Sequence, residues 1–276
     1  MTGRADNILS RWAVATGLAG GAAMMTGRGV GDNEQDASRV FAPAWIGLMV
    51  LSLGWGLLTI GVYVLVRLAP GVGVSRPLWI PAGVLAALSL AGPYRCAALD
   101  VAGLLGLRGR VARAGFVVLV AAGWAAAMAY LRLDRHTGLA SEEQAQPEML
   151  SWMRTELEAF RVLLLTPLWG AWAMMIAAQF CRPGANSPAP MRAFARGCGP
   201  MLSVTILSAL LCGSIVYFSF LPWHQLTISA AAILGGIAAG ALAARRAGGL
   251  TRGALLAANL GAQVAFVLVY LANVAR

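Results

Sequence analysis

The feature that most constrains this chain is a series of long runs without a charged residue. Seven occur between arginines, at residues 40–66, 78–94, 115–131, 162–181, 201–221, 226–244 and 253–275. A helix crossing the hydrocarbon layer of a bilayer needs about 20 apolar residues, range about 17–25, free of charge. Each run meets that length, the two 17-residue runs only just. The expectation is an all-α, polytopic integral membrane helix bundle with about seven transmembrane helices. The residues between runs 201–221 and 226–244 are Pro222, Trp223, His224 and Gln225, which read as a tight turn with an interfacial tryptophan. An eighth apolar piece, residues 12–25, is short and rich in Gly and Ala. It reads as a re-entrant or interfacial segment, since no small-x-small cleavage site follows it to mark a signal peptide.

Composition agrees with a bilayer environment. Hydrophobic residues make up 59% of the 276 and charged residues only 12%, where soluble chains hold roughly 45–50% and 25%. That excludes a soluble domain, and disorder as well, because disordered chains are poor in apolar residues. The charge is lopsided: 21 basic residues, all arginine, against 11 acids, a net charge of +10. On a soluble chain this excess would suggest nucleic acid; here it marks orientation, and no nucleic-acid partner is expected. If seven helices alternate, fourteen arginines fall on one side (Arg4, Arg11, Arg28, Arg39, Arg95, Arg108, Arg110, Arg113, Arg182, Arg192, Arg196, Arg245, Arg246, Arg252) and seven on the other. The richer side is the cytoplasmic one by the positive-inside rule, with the N-terminus inside and the C-terminus outside.

The chain reads as one membrane domain, residues 1–276, with an N-terminal segment 1–39. Loop 132–161 is then an acidic extracytoplasmic segment that holds six of the eleven acids. Within it, Leu150, Met153, Leu157 and Phe160 recur at helical spacing, so residues 147–161 read as an amphipathic helix lying on the membrane. Cys96, Cys181, Cys198 and Cys212 show no C-x-x-C spacing, so no disulfide framework is expected. His136 and His224 are too far apart in sequence to suggest a metal site.

Chemistry should gather on the arginine-rich side. Asp100 is the only acid between Asp36 and Asp134, and no acid follows Glu158. An ionisable group beside a span is a functional-site candidate; the plainer reading is a salt bridge to Arg95 or Arg108. Loop arginines with almost no acid among them would attract phosphate esters, nucleotides or anionic headgroups, although topology alone also accounts for them. The loop Arg245-Arg246-Ala-Gly248-Gly249-Leu-Thr251-Arg252-Gly253 is more specific. Adjacent glycines let backbone amides approach a ligand, and Thr251 and Arg252 stand at a helix N-terminus where a phosphate can sit. Gly-Gly between helices is also a common helix stop.

The closing stretch RRAGGLTRGALLAANLGAQVAFVLVYLA resembles the end of the cobalamin synthase (adenosylcobinamide-GDP ribazoletransferase) family, where R-x-x-G-G-x-T-G-D-x-L-G-A precedes a last apolar helix. Other pieces follow in the family's order. Met25-Thr26-Gly-Arg28 is similar to its T-R-x-P element, and Ser38-Arg39 through Pro43, Gly47 and Leu48 to its S-R…P-x-x-G-L helix entry. Residues before Asp100 stand where the family carries H-x-D-G-x-x-D-x-x-D, and Pro167…Arg182-Pro183 resembles its P…R segment. In this register the three aspartates fall on Cys96, Asp100 and Gly103, the histidine on Tyr94, and T-G-D on Thr251-Arg252-Gly253.

The resemblance implies a bacterial inner-membrane transferase that joins GDP-activated cobinamide to α-ribazole with Mg²⁺. Asp100 would then hold the metal and, with Arg95, be catalytic. Arg28, Arg245, Gly248, Gly249, Thr251 and Arg252 would hold the substrate's phosphates. Two alternatives stand beside it: an inactive homologue that binds a phosphate-bearing ligand or partners a true synthase, and a small-molecule transporter. Against the transporter, no run holds a buried charge and no internal helix repeat is visible. Gly236-x-x-x-Gly240 offers a close helix-packing face and leaves a homo-oligomer open.

Overall fold

The computed structural model describes residues 3–26, 34–68, 93–133, 148–181, 183–184, 187–218 and 222–274. Among them are ten helices and no strand. In chain order they are α1 (Gly3–Thr26), α2 (Glu34–Phe41), α3 (Ala44–Leu68), α4 (Pro93–Leu104), α5 (Arg110–Leu133), α6 (Glu148–Phe180), α7 (Ala189–Gly197), α8 (Pro200–Phe218), α9 (Pro222–Ala247) and α10 (Arg252–Val274).

Four helices are long and apolar enough to cross a membrane, over Ala44–Val62, Val162–Phe180, Leu226–Ala247 and Arg252–Asn273. A fifth arises if α7 and α8, bent by 65° at Cys198-Gly199, count as one broken span. The all-helical architecture therefore stands, with four to five helices among the described residues long and apolar enough to span a membrane where seven were expected. Runs 162–181, 226–244 and 253–275 are found directly. Run 40–66 is cut at Pro43, where the chain turns between α2 and α3. A proline ring has no N–H to give the preceding turn and clashes with it. Run 201–221 qualifies only together with α7. Run 115–131 lies inside α5, which is rich in Ala and Gly and carries Arg110, Arg113 and Arg132, and is not among the spans. Most of run 78–94 falls outside the described residues.

Two further expectations are corrected. The amphipathic segment 147–161 is no separate surface helix: α6 runs unbroken from Glu148 through the apolar span. At about 1.5 Å per residue its 33 residues reach about 50 Å, well beyond a hydrocarbon layer of about 30 Å. Pro167 inside α6 cannot donate a backbone hydrogen bond, and beside it the Thr166 hydroxyl donates to the Val162 carbonyl at 2.6 Å. The expected turn 222–225 is the first turn of α9, begun by Pro222, a residue pre-shaped for that position. The N-terminal apolar piece lies within a 24-residue helix, α1, docked along α3 and not among the candidate spans.

Small residues set how these helices meet. A Cβ on Gly21 would lie 2.6 Å from the Gly47 carbonyl carbon, so α1 and α3 touch backbone to backbone. The α9–α10 pair does the same: a Cβ on Gly261 would sit 2.7 Å from the Gly235 carbonyl oxygen. Gly236 and Gly240 face Ala173 and Ala177 of α6 and Ala262 and Ala258 of α10. Their G-x-x-x-G face is thus spent inside the chain. Helix α6 lies at the centre, its span 78% buried against 28% for that of α3. Leu53, Leu57, Leu234, Leu242 and Leu268 point outward, as lipid-facing side chains do.

Candidate functional site

The segments expected to carry chemistry meet at one end of the bundle. Asp100 sits in the last turns of α4, whose end is a left-handed glycine stop. Gly106 has φ +79°, its N–H donates to Gly103, and that of Leu107 donates to Ala102 at 3.0 Å. The α9–α10 turn is built the same way. Gly248 has φ +72° and Gly249 φ +153°; the Gly249 N–H donates to Ala244 at 2.9 Å and the Gly248 N–H to Arg245. Both glycines hold backbone angles that L side chains rarely adopt, which accounts for them as a helix stop. Thr251 caps α10, its Oγ1 accepting from the Ala254 N–H at 3.2 Å.

Arg252 binds this end together. Its Nη1 lies 2.7 Å from Asp100 Oδ2, its Nε donates to the Met24 carbonyl at 2.6 Å, and its Nη2 donates to the Met25 carbonyl at 2.8 Å. The two carbonyls belong to the last turn of α1, where helix carbonyls lack intrahelical donors and carry partial negative charge. One planar guanidinium therefore joins α1, α4 and α10, a geometry an ammonium cannot reproduce. The plainer reading of Asp100 as a salt-bridge partner holds, with Arg252 in place of Arg95 or Arg108. Arg95 is exposed in the first turn of α4, more than a turn from Asp100. Arg245 and Arg246 are exposed on the last turn of α9. Arg28 lies outside the described residues.

The structure thus brings Asp100, Thr251, Arg252, Gly248 and Gly249 together, and commits each to a contact within the chain. Exposed arginines flank them: Arg245 and Arg246 on α9, Arg108 before α5, and Arg110 and Arg113 in its first turn. Arg113 reaches back over the α4 stop, its Nε donating to the Leu107 carbonyl at 3.2 Å. Ser187 and Gly184 pack against the α9–α10 turn, and Ser187 Oγ would lie 3.1 Å from a Cβ on Gly249. Sequence reasoning missed Ser187, and it missed the α1 carbonyls, which carry no side-chain signal at all.

A divalent cation does not fit here. Mg²⁺ binding uses one or two carboxylates with waters and phosphates, but the carboxylate of Asp100 already faces a guanidinium at 2.7 Å. Among the described residues no three His, Cys, Asp or Glu side chains gather. Burial pushes the thiol of Cys181, just past the α6 span, above its ordinary pKa, which leaves it a poor thiolate ligand at neutral pH.

Comparison with protein-family models, with curated proteins and with solved structures finds no match to this chain.

Proposed function

We propose that this membrane protein holds a phosphate-bearing ligand on its arginine-rich end, on the plan of cobalamin synthase but without that family's metal-assisted transfer. The observation that carries this is the pairing of Asp100 with Arg252. Among the described residues the acid of the cluster, Asp100, is neutralised, while Arg108, Arg110, Arg245 and Arg246 around it remain exposed. Such a face attracts phosphate through charge-assisted hydrogen bonds, bidentate ones above all. The backbone turns at Gly106 and Gly248 supply the rigid frame. The ligand's phosphate belongs either to a soluble nucleotide-like compound or to a lipid headgroup.

The test is binding and turnover on the same purified protein. In neutral detergent, GDP or pyrophosphate is expected to bind, with affinity falling about tenfold or more in Arg245→Ala/Arg246→Ala as two charged donors are lost. Vesicles containing phosphatidylglycerol, but not those of neutral lipid, compete if the natural source is a headgroup. Supplied with GDP-activated cobinamide, α-ribazole and Mg²⁺, the protein is expected to release no cobalamin. Cobalamin formation that disappears in Asp100→Asn would overturn the non-catalytic reading and establish the transferase in its place. Affinity for GDP and pyrophosphate unchanged by the double variant would remove the arginine site.

A further inference from the structure

The apolar layer contains polar side chains that the arginine-rich end does not use. Asn259 and Gln263 stand one turn apart on α10, inside the Arg252–Asn273 span, and both are at most 2% exposed. They face α6 where it has no side chain: a Cβ on Gly170 would lie 2.8 Å from Gln263 Nε2 and 3.0 Å from Asn259 Nδ2. Gly170 therefore admits two amides to the centre of the bundle. Helices α6 and α10 run antiparallel here, since Gly170 meets Gln263 while Met174, one turn on, meets Asn259. Trp169 adjoins Gly170 and is fully buried.

Hydrogen bonding in this layer is incomplete. Gln263 Nε2 donates to Asn259 Oδ1. Asn259 Nδ2 reaches only a thioether, Met174 Sδ, at 3.4 Å, a weak acceptor. Gln263 Oε1 and Trp169 Nε1 are buried without a partner. The Asn259–Gln263 pair thus offers an unmatched carbonyl acceptor and a half-satisfied amide, and the indole donor of Trp169, the residue before Gly170, is unmatched as well. All lie where lipid supplies no hydrogen bonds and buried polar groups are otherwise almost always paired. By contrast Trp172, three residues along, donates its Nε1 to the Ser203 carbonyl at 3.0 Å.

We infer that the Trp169–Gly170–Asn259–Gln263 layer is a hydration site inside the membrane-spanning core, binding water through the Gln263 carbonyl, the Asn259 amide and the Trp169 indole. Its ligand is uncharged, because neither the Val162–Phe180 segment nor residues 253–273 hold an Asp, Glu, His, Lys or Arg. Water both donates and accepts, matching the unmet groups. This inference is independent of the arginine face.

X-ray radiolysis of the full-length protein in nanodiscs tests it, because hydroxyl radicals made from bound water oxidise the nearest reactive side chains. Trp169 and Met174 should be oxidised several-fold faster than Trp172 and Met175, which are equally buried. Gln263→Leu should bring both down to the rate of those controls. Trp169→Phe keeps an aromatic ring and removes the N–H, so it should slow Met174 alone and serves if the first variant does not fold. Trp169 and Met174 as inert as Met175 in the unmodified protein would overturn the inference. So would fast oxidation that neither variant changes.

Discussion

Replacing Arg252 with methionine tests the clamp most directly, because it removes the guanidinium while keeping an apolar stem of similar reach. Three contacts go at once: the Asp100 carboxylate at 2.7 Å and the Met24 and Met25 carbonyls at 2.6 and 2.8 Å. The ion pair is partly exposed, with side-chain accessibilities of 23% and 37%, and after screening contributes at most about 1 kcal/mol. Hydrogen bonds from a charged donor contribute about 1.5–3 kcal/mol each. Solvent reaches Arg252, so the lower end applies, about 1 kcal/mol per carbonyl after that discount. The sum is about 3 kcal/mol. Most of it should appear as loosening of the last turn of α1, because α1 stays docked on α3 through its glycines. Since 1.36 kcal/mol is a factor of ten, amide exchange there should accelerate by about two orders of magnitude, read by hydrogen–deuterium exchange. Asp100→Asn keeps an acceptor and should cost about 1 kcal/mol or less. Arg252→Lys should recover only part of the loss, for want of the planar fork. If Arg252→Met leaves exchange in α1 unchanged, or costs less than Asp100→Asn, then Arg252 does not clamp the two helices and the reasoning fails.

Further outcomes follow from the turns, the packing and the thiols. Gly249→Ala should lower thermal stability more than Gly248→Ala. Both positions hold left-handed backbone, φ +153° and +72°, costing about 1–3 kcal/mol for a non-glycine residue, but only the Gly249 Cβ would also press on Ser187 Oγ. Gly236→Val should destabilise by about 1–3 kcal/mol, since even a Cβ there lies 2.7 Å from Ala173; thermal unfolding in detergent checks it. A water-soluble maleimide should label Cys181 at pH 8 far more slowly than a free thiol. Burial raises its pKa, so the reactive thiolate is scarce until pH climbs towards that raised value or the protein is unfolded; prompt labelling at pH 8 in the folded state would contradict it.

How much of this was legible in the sequence depends on what each feature is made of. The runs ending at Ala244 and beginning at Gly253 are helices because nothing in them interrupts 3.6-residue packing, and absence of charge reads directly. The Gly248-Gly249 stop was also visible, since adjacent glycines favour a helix end. Asp100 reads as a salt-bridge candidate, but the sequence offers only its neighbours Arg95 and Arg108 as partners, and Arg252 reaches it only through the fold. The continuity of α6 across Arg161 was hidden because the change from amphipathic to wholly apolar pattern looked like a boundary, whereas the backbone hydrogen bonds do not register it. The contacts of Arg252 with α1 had no sequence signature, since carbonyls belong to every residue. Asn259 and Gln263 are hidden for a different reason: a neutral amide does not interrupt an uncharged run.

The bond between Arg252 and the end of α1 also has a bearing on how the chain is assembled. Its donor and acceptors are 228 and 227 residues apart, and synthesis at about 5–20 residues per second puts roughly 10–45 s between them. Throughout that interval the Met24 and Met25 carbonyls exist without the guanidinium that secures them. The first helix can dock on its glycines early, but its fastening waits for the last helix to emerge. A nascent chain that stalls before residue 252 therefore leaves this end of α1 unfastened, a difference that a membrane protease able to grip a loose helix end could use to tell unfinished copies from finished ones.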